Sequence, residues 1–521
     1  MIIRNARNSR VHTQLLNSLL LLLIAGILST TMPTSAQKTD QSVNRRPTHG
    51  EKIKRLLITD AMIIYGNEKP PFGPADVLVV DGLIAYVGNM NSFERARQQP
   101  DAVIDATGKY VMPGMVNTHM HWHEWRDPDI PQPIQYERNL YLASGTTTTR
   151  ELGGNFEKSK RWQTESDDHR IVAPRMIIYA RPNLWVHSTN DEIRTAVRNA
   201  KDKEADGLKI GGLDRSQLEI LLDEAKAQEL STTAHIGVEE TTASDYIELG
   251  VNSIEHFYGI PDAAIDGIQN FPPDMNYENE IDRFVRAGEL FTQANPDKLK
   301  TVLDSMVEND VAWSPTLSIY EANRDVIRAQ NLPWFNDHLH PSMKSFWSPN
   351  LQNHGSYFIG WTNTYQVLWK HNFDVWMDAL RYFGVKGGLI TTGDDAGYIY
   401  SLYGFGMIRE LELHEEAGFH PLEVIKHATT NGAKLLGMEN RLGKVRVGTI
   451  ADLLVVDGNP LDNLSVLNPY GTDVNLNNEN VRGGGIEWTI KDGIPYHVAT
   501  LMNEVKEMVT TARAKHNIVN P

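Results

Sequence analysis

The chain has 521 residues, enough to bury a large core, with 41% hydrophobic and 22% charged residues and a formal net charge of −16. An acidic excess of that size argues against nucleic acid or an anionic membrane as a partner. The complete absence of cysteine excludes thiol nucleophiles, iron–sulfur clusters, thiolate zinc sites and a lipidated N-terminal cysteine.

Residues 1–36 read as an export signal. Arg4, Arg7 and Arg10 precede an apolar run at 19–28, and small residues lead out to Ser35 and Ala36. The run is short for a permanent bilayer-spanning helix; an uncleaved membrane anchor is the alternative. A periplasmic or secreted bacterial protein is expected, with no stable membrane insertion after cleavage. Residues 37–52 are polar and read as a flexible leader. Short β-like runs follow at 56–59, 62–65, 76–80 and 83–87, with Asp81 and Gly82 as a hairpin signal between the last two. They predict a small antiparallel sheet, the first part of a β-sandwich over 53–110.

From Tyr110 the rhythm changes to strand, loop, helix. Strands are predicted at 111–118, 146–151, 175–180, 207–210, 231–236, 253–256, 311–315 and 388–392, with amphipathic helices such as 190–203 and 216–228 between them. Eight such units predict an α/β fold, a (β/α)8 TIM barrel over 111–441, with its active site at the C-terminal ends of the strands. An aromatic-rich insertion at about 259–379 carries Trp334, Phe335, Phe346, Trp347, Trp361, Trp369 and Trp376. The helical spacing of Trp369, Phe373 and Trp376 reads first as core packing. A lid over an apolar substrate pocket is the functional alternative. After a helix at 421–436, antiparallel runs at 443–445, 451–456, 486–490 and 494–496 are expected to complete the discontinuous β-sandwich domain (442–500). Residues 501–521 end the chain, with a surface helix at 502–515.

The chemistry is carried by side chains at strand ends. His119 and His121 lie one residue apart, so on a strand they share a face and converge on one point. Lys209, His235, His256 and Asp395 each end a later strand-like run. Singly, each has a plain structural reading: a hydrogen-bonded histidine, a snorkelling lysine, a turn-forming aspartate. Their joint placement at strands one, four, five, six and eight has no such reading. Two adjacent divalent cations account for it. They repel, so an anion must lie between them. A buried lysine near cations is held neutral and can react with carbon dioxide to give a bridging carbamate. His119, His121 and Asp395 would hold one cation, and His235 and His256 the other. A shared water would lose its proton and attack a carbonyl, with Asp395 as the proton shuttle.

Pro113-Gly114, His119-Met120-His121, Gly207-Leu208-Lys209, Ala234-His235, Ile254-Glu255-His256 and Gly393-Asp394-Asp395-Ala396-Gly397 together resemble the metal-dependent amidohydrolase superfamily, in its imidazolonepropionase-like and prolidase-like branch. The ending at 421–437 and 448–461 is similar as well. The resemblance covers about residues 56–496. It implies a binuclear hydrolase with zinc as the expected metal, a carbamylated Lys209 and a flanking β-sandwich. The family has Thr or Ser where this chain has Asp394, which leaves two adjacent acids. Asp395 is the ligand expected, because Ala396 and Gly397 follow it as in the family. His123 extends the alternation, and a role beside the substrate or plain surface placement is expected for it.

The function implied is hydrolysis of a C–N amide bond in a dipeptide, N-acyl amino acid or cyclic amide. Substrate contacts are expected from Arg150, His187, Tyr258 and Tyr398. The partner is then a small molecule or short peptide, and a homo-oligomer is compatible with the sequence. The alternatives are a lactone or ester hydrolase, a mononuclear deaminase on the same fold, or a non-catalytic exported binding protein. Lys209 speaks against the deaminase, since a single-metal site needs no bridge. The complete ligand set speaks against the binding protein.

Overall fold

A computed structural model describes residues 45–123, 126–184, 187–237, 241–267, 275–276, 281–350, 354–476 and 479–518. The expected signal segment lies outside the described residues. The described end of the expected leader is not loose. Val103 N–H donates to Arg45 O at 2.8 Å and Gly50 N–H to Pro495 O at 2.8 Å, which lays 45–50 along the small β-domain.

Five strands open that domain: β1 (Arg55–Ile63), β2 (Phe72–Val80), β3 (Leu83–Gly88), β4 (Ala102–Asp105) and β5 (Tyr110–Pro113). Seven parallel strands then form the barrel wall: β6 (Met115–Met120), β7 (Thr146–Glu151), β8 (Arg175–Ala180), β9 (Gly207–Ile210), β10 (Ser231–Ala234), β11 (Ser253–Glu255) and β12 (Ala312–Ser314). The chain ends with β13 (Leu453–Asp457), a hairpin of β14 (Thr472–Leu476) and β15 (Glu479–Gly483), then β16 (Gly485–Lys491) and β17 (Ile494–His497). The small sheet runs β17-β16-β13-β5-β1-β2-β3, with β4 also on β1, so both ends of the chain build it.

Alternation along β13 shows how the sheet meets the barrel. Leu453 and Val455 belong to the small domain's own core with Ile58, Val77 and Ile490. Leu454 and Val456 point the other way, into the barrel's core. The predicted strand at 111–118 is in fact two strands in two sheets. β5 pairs with β1 and β13, then Gly114 hands the chain to β6. Only glycine fits there, because a Cβ would lie 2.3 Å from the Thr147 hydroxyl.

Strand eight is extended backbone rather than a full ladder. Trp313 N–H donates to Leu389 O and Thr391 N–H to Trp313 O, both at 2.9 Å. On the other side Thr118 N–H donates to Thr392 O and Asp395 N–H to His119 O, again at 2.9 Å. These bonds close the barrel between β12 and β6.

The aromatic insertion is interrupted by β12 and divides into two excursions. Helix Asn363–Val385 is a barrel-wall helix whose Trp369, Phe373 and Trp376 are buried. Trp376 stacks on Phe257 (5.3 Å, 11°) and Trp369 on Tyr320 (6.0 Å, 4°), so these tryptophans are core and not a lid. The terminal helix Val498–Lys515 is likewise no bare surface element. It buries Val498, Leu501, Val505 and Val509, and Asn139 of helix Ile134–Ala143 donates to its Glu504 at 2.7 Å. Among the described residues, no helix is long and apolar enough to cross a membrane.

Candidate metal centre

Each sequence-predicted ligand stands at the C-terminal end of a barrel strand or just past it, and the strands bring them together. His121 Nε2 lies 3.2 Å and His119 Nε2 3.6 Å from Asp395 Oδ1, and His256 Nε2 lies 4.0 Å from Asp395 Oδ2. The rings of His119 and His256 are 4.7 Å apart, and those of His235 and His256 4.5 Å. Lys209 Nζ lies 3.2 Å from His119 Nε2. Strand eight comes this close because residue 393 is glycine. A Cβ there would sit 2.5 Å from the Cβ of His119.

Ligand atoms of His119, His256 and Asp395 lie within 4.8 Å of one another. His256 Nε2 and Asp395 Oδ1 are buried and have no hydrogen-bond partner among the described residues. A ring nitrogen and a carboxylate oxygen buried without hydrogen bonds are costly, and a cation held between such groups removes that cost. The donor set, nitrogen and oxygen with no sulfur, suits zinc or a similar divalent ion. Burial pushes the Asp395 carboxyl up, but His119 and His121 outweigh it and hold the group well below the usual carboxylate range. For Lys209, burial outweighs the carboxylates of Glu255 and Asp395 and pulls the amine down to about 8, toward its neutral form.

Three of the imidazoles are held through their second nitrogen. His119 Nδ1 lies 2.7 Å from Glu255 Oε2, His256 Nδ1 2.6 Å from Thr316 Oγ1, and His121 Nδ1 3.4 Å from Glu151 Oε1. Such bonds direct each Nε2 to the centre. Nothing in the sequence pattern marks Glu151 or Thr316 for this role. The available signal for Glu255 was its place beside His256 on β11. Ser253 and Glu255 face the barrel interior, and His256, in the left-handed region at φ 63°, turns inward too instead of alternating out.

The adjacent acids separate cleanly. Asp395 faces the histidines, whereas Asp394 accepts from Asn117 Nδ2 at 2.7 Å and Tyr141 OH at 3.3 Å. Burial pushes Asp394 up to about 7. His123 stays out of the ligand cluster, with Nε2 3.1 Å from Tyr398 OH and Nδ1 3.4 Å from Tyr403 OH.

A cavity of about 950 Å³ opens above the cluster. Tyr398, one of the substrate contacts read from the sequence, lines it together with His123, Arg126, Arg181, Phe346 and His354. The three other expected contacts lie outside this lining. Arg150 is fully buried below the floor, where it donates to Glu255 Oε1 at 2.6 Å and Ser253 Oγ at 3.2 Å. His187 is exposed on the turn before helix Asn190–Asp202 and does not line the cavity. Tyr258 is buried beside the ligands, its ring 6.2 Å from that of His235 at 22°, and supports the histidine from behind.

Arg126 was not foreseen. Its guanidinium lies over Tyr398 (4.1 Å) and Phe346 (4.6 Å), Nε donates to Tyr403 OH at 3.2 Å, and Nη2 has no hydrogen-bond partner among the described residues. Asp395 is the one carboxylate among the described residues lining the cavity, against the two guanidiniums of Arg126 and Arg181.

Comparison with known proteins finds partial sequence matches and a shared fold. Residues 370–483 match the model of the amidohydrolase family. Over 66 residues, 13% of this chain, the sequence is 41% identical to a 5-methylthioadenosine/S-adenosylhomocysteine deaminase of Pyrococcus furiosus. Over 106 residues, 20% of the chain, it is 41% identical to an imidazolonepropionase of Porphyromonas gingivalis. The matches span 14% and 23% of those curated relatives' lengths. A crystal structure of a Xaa-Pro dipeptidase with methionine bound in its active site shares the fold, with a TM-score of 0.56 and 19% identity over 85% of this chain and 100% of that one.

Proposed function

We propose that this chain, which belongs to the amidohydrolase superfamily, is an exported hydrolase that cleaves a C–N amide bond in a small substrate bearing a carboxylate. His119, His121 and Asp395 would hold one divalent cation and His235 and His256 a second, with a carbamate on Lys209 between them. The observation that carries the reading is that His256 Nε2 and Asp395 Oδ1 are buried without a hydrogen-bond partner among the described residues, close to His119, with His119 and Asp395 lining a substrate-sized cavity. Bound cations would supply Lewis acidity toward a carbonyl and toward a water that becomes acidic near neutral pH. The chain's own residues do the rest. Asp395 accepts the proton of the attacking water and passes it to the leaving nitrogen. Lys209 is buried and drawn toward its neutral form, the form that reacts with carbon dioxide. Arg126 offers an aromatic-backed guanidinium to a carboxylate, which fits an anionic substrate such as a dipeptide or N-acyl amino acid.

A mononuclear site is the second reading, favoured by the tight grouping of His119, His256 and Asp395. Metal stoichiometry separates the two. Elemental analysis should find two divalent ions per chain. The protein should release amino acid from N-acyl amino acids or dipeptides, lose that activity with a chelator, and act much less on carboxamide-blocked versions. One ion per chain with deamination of a heterocycle would replace this reading by the second, and no bound ion would end both. Export is tested by cell fractionation. Recovery of the protein in the cytoplasm with residues 1–36 intact would count against it.

A further inference from the structure

An imidazole that binds a cation through Nε2 needs its Nδ1 hydrogen fixed by an acceptor. At His256 the acceptor is Thr316 Oγ1, 2.6 Å away. The same hydroxyl donates its own hydrogen to Pro315 O at 2.7 Å. It is therefore left to accept from the ring, and the ring's Nε2 lone pair faces Asp395.

Thr316 also occupies the N-cap position of the short helix Leu317–Tyr320, with φ 51° and ψ 47°. A threonine at that position ordinarily turns its hydroxyl onto the helix's free N–H groups. Thr316 makes no such bond. The free groups go to a remote side chain instead, with Leu317 N–H donating to Glu410 Oε1 at 3.0 Å and Ser318 N–H to Oε2 at 2.7 Å. Glu410 is fully buried on helix Phe405–Glu416. No lysine or arginine pairs with it among the described residues. The titratable group facing it most closely is His414, whose Nε2 lies 3.3 Å from Oε1, and His414 in turn meets His427 at 3.1 Å. A buried carboxyl group needs hydrogen bonds to its oxygens. Here it takes over the capping duty, which releases the Thr316 hydroxyl for His256 and holds Thr316 in its left-handed turn.

We propose that Glu410 and Thr316 act together as positioning residues that fix the tautomer and aim of His256 from outside the ligand set. The proposal rests on the metal-site reading, and the experiment distinguishes the failure of each. Metal-free protein is titrated with zinc against a chromophoric chelator, and imidazole nitrogen shifts report the His256 tautomer without metal. Thr316→Val should weaken zinc binding roughly 10- to 100-fold and mix the tautomers, and Thr316→Ser should restore both. Glu410→Gln, which keeps the shape but leaves one acceptor oxygen, should weaken zinc binding in the same direction by at least about threefold, less than the roughly 10- to 100-fold usual for a direct partner of a ligand because Glu410 acts through Thr316. A purely architectural role would lower the unfolding temperature and leave the affinity of the folded molecule alone. Wild-type affinity in folded Thr316→Val overturns the proposal, and wild-type affinity in Glu410→Gln overturns Glu410's share of it. Failure of the unaltered protein to bind zinc would overturn the site reading itself, and the proposal with it.

Discussion

Glu255 is the most informative single position in the site, because two substitutions there separate metal binding from folding. Its carboxylate lies 2.7 Å from His119 Nδ1, accepts from Arg150 Nη2 at 2.6 Å, and also accepts from the Thr233 hydroxyl. All four groups are buried. In Glu255→Gln one oxygen becomes an NH2. Arg150 can only donate, so the remaining oxygen must stay with it and the NH2 must face His119. Two donors then oppose each other unless the imidazole moves its hydrogen to Nε2, the nitrogen 3.2 Å from Lys209 Nζ and 3.6 Å from Asp395. A protonated Nε2 cannot ligate, so metal affinity should fall about 10- to 100-fold, roughly 1.4–2.7 kcal/mol. Glu255→Ala differs in kind. It leaves a fully buried guanidinium without its carboxylate, which costs about 3–5 kcal/mol of folding stability. Metal content after dialysis against buffered zinc, and urea midpoints of the metal-free proteins, read the two effects. Wild-type zinc affinity in Glu255→Gln would refute the tautomer argument. A Glu255→Ala variant as stable as wild type would refute the dependence of Arg150 on this carboxylate.

Lys209→Ala should lose metal and turnover together and regain part of both with short carboxylic acids, measured by elemental analysis and initial rates. Unchanged metal content would remove the carbamate from the proposal. Asp395→Asn should abolish turnover, while Asp394→Asn, whose side chain faces Asn117 and Tyr141, should retain activity within about tenfold and register mainly as a loss of stability on the order of 1 kcal/mol. Glu137 supplies a pH test away from the ligands. Burial lifts its carboxyl from 4.5 to about 8 against the hydrogen bonds from His123 N–H and Gln132. Below about pH 4.5 it is protonated folded or unfolded and contributes nothing to the pH dependence. Between pH 4.5 and 8 the unfolded chain releases the proton and the folded one keeps it, so stability falls as pH rises, by an amount on the order of 4 kcal/mol. Urea unfolding at pH 5 and pH 8 should show Glu137→Gln gaining on wild type across that interval, and parallel pH dependences would rule the effect out.

The barrel was legible because parallel strands buried on both faces write themselves as short apolar runs between amphipathic helices. β7, β8 and β9 lie where the pattern puts them. The pattern misled where one apolar run crossed a domain boundary. Residues 110–118 are continuous in hydropathy, and only the close approach of Thr147 to Gly114 marks the transfer between sheets. Composition also overstated the lid. Trp369 and Trp376 are buried because the wall helix needs large side chains against Phe257 and Tyr320, a demand of volume that a count of aromatics does not distinguish from ligand binding.

In the site, the residues that point at the centre were readable and those that aim them were not. The candidate ligands lie at strand ends, where a spacing of two residues or a run's last position marks them. The aiming residues obey no such rule. Glu255 and His256 are sequence neighbours that alternation would send to opposite faces, yet both turn inward because His256 sits at φ 63°. Thr316 serves His256 from the end of a different strand, and Glu410 serves Thr316 by binding Leu317, 93 positions away in the chain. A basic residue at a strand end, such as Arg150, reads as a candidate substrate contact, yet its side chain ends inside the barrel, holding the carboxylate that holds His119. A ligand's orientation is therefore set by contacts that the order of residues does not encode locally, and changes at those remote positions should be felt first as altered metal affinity.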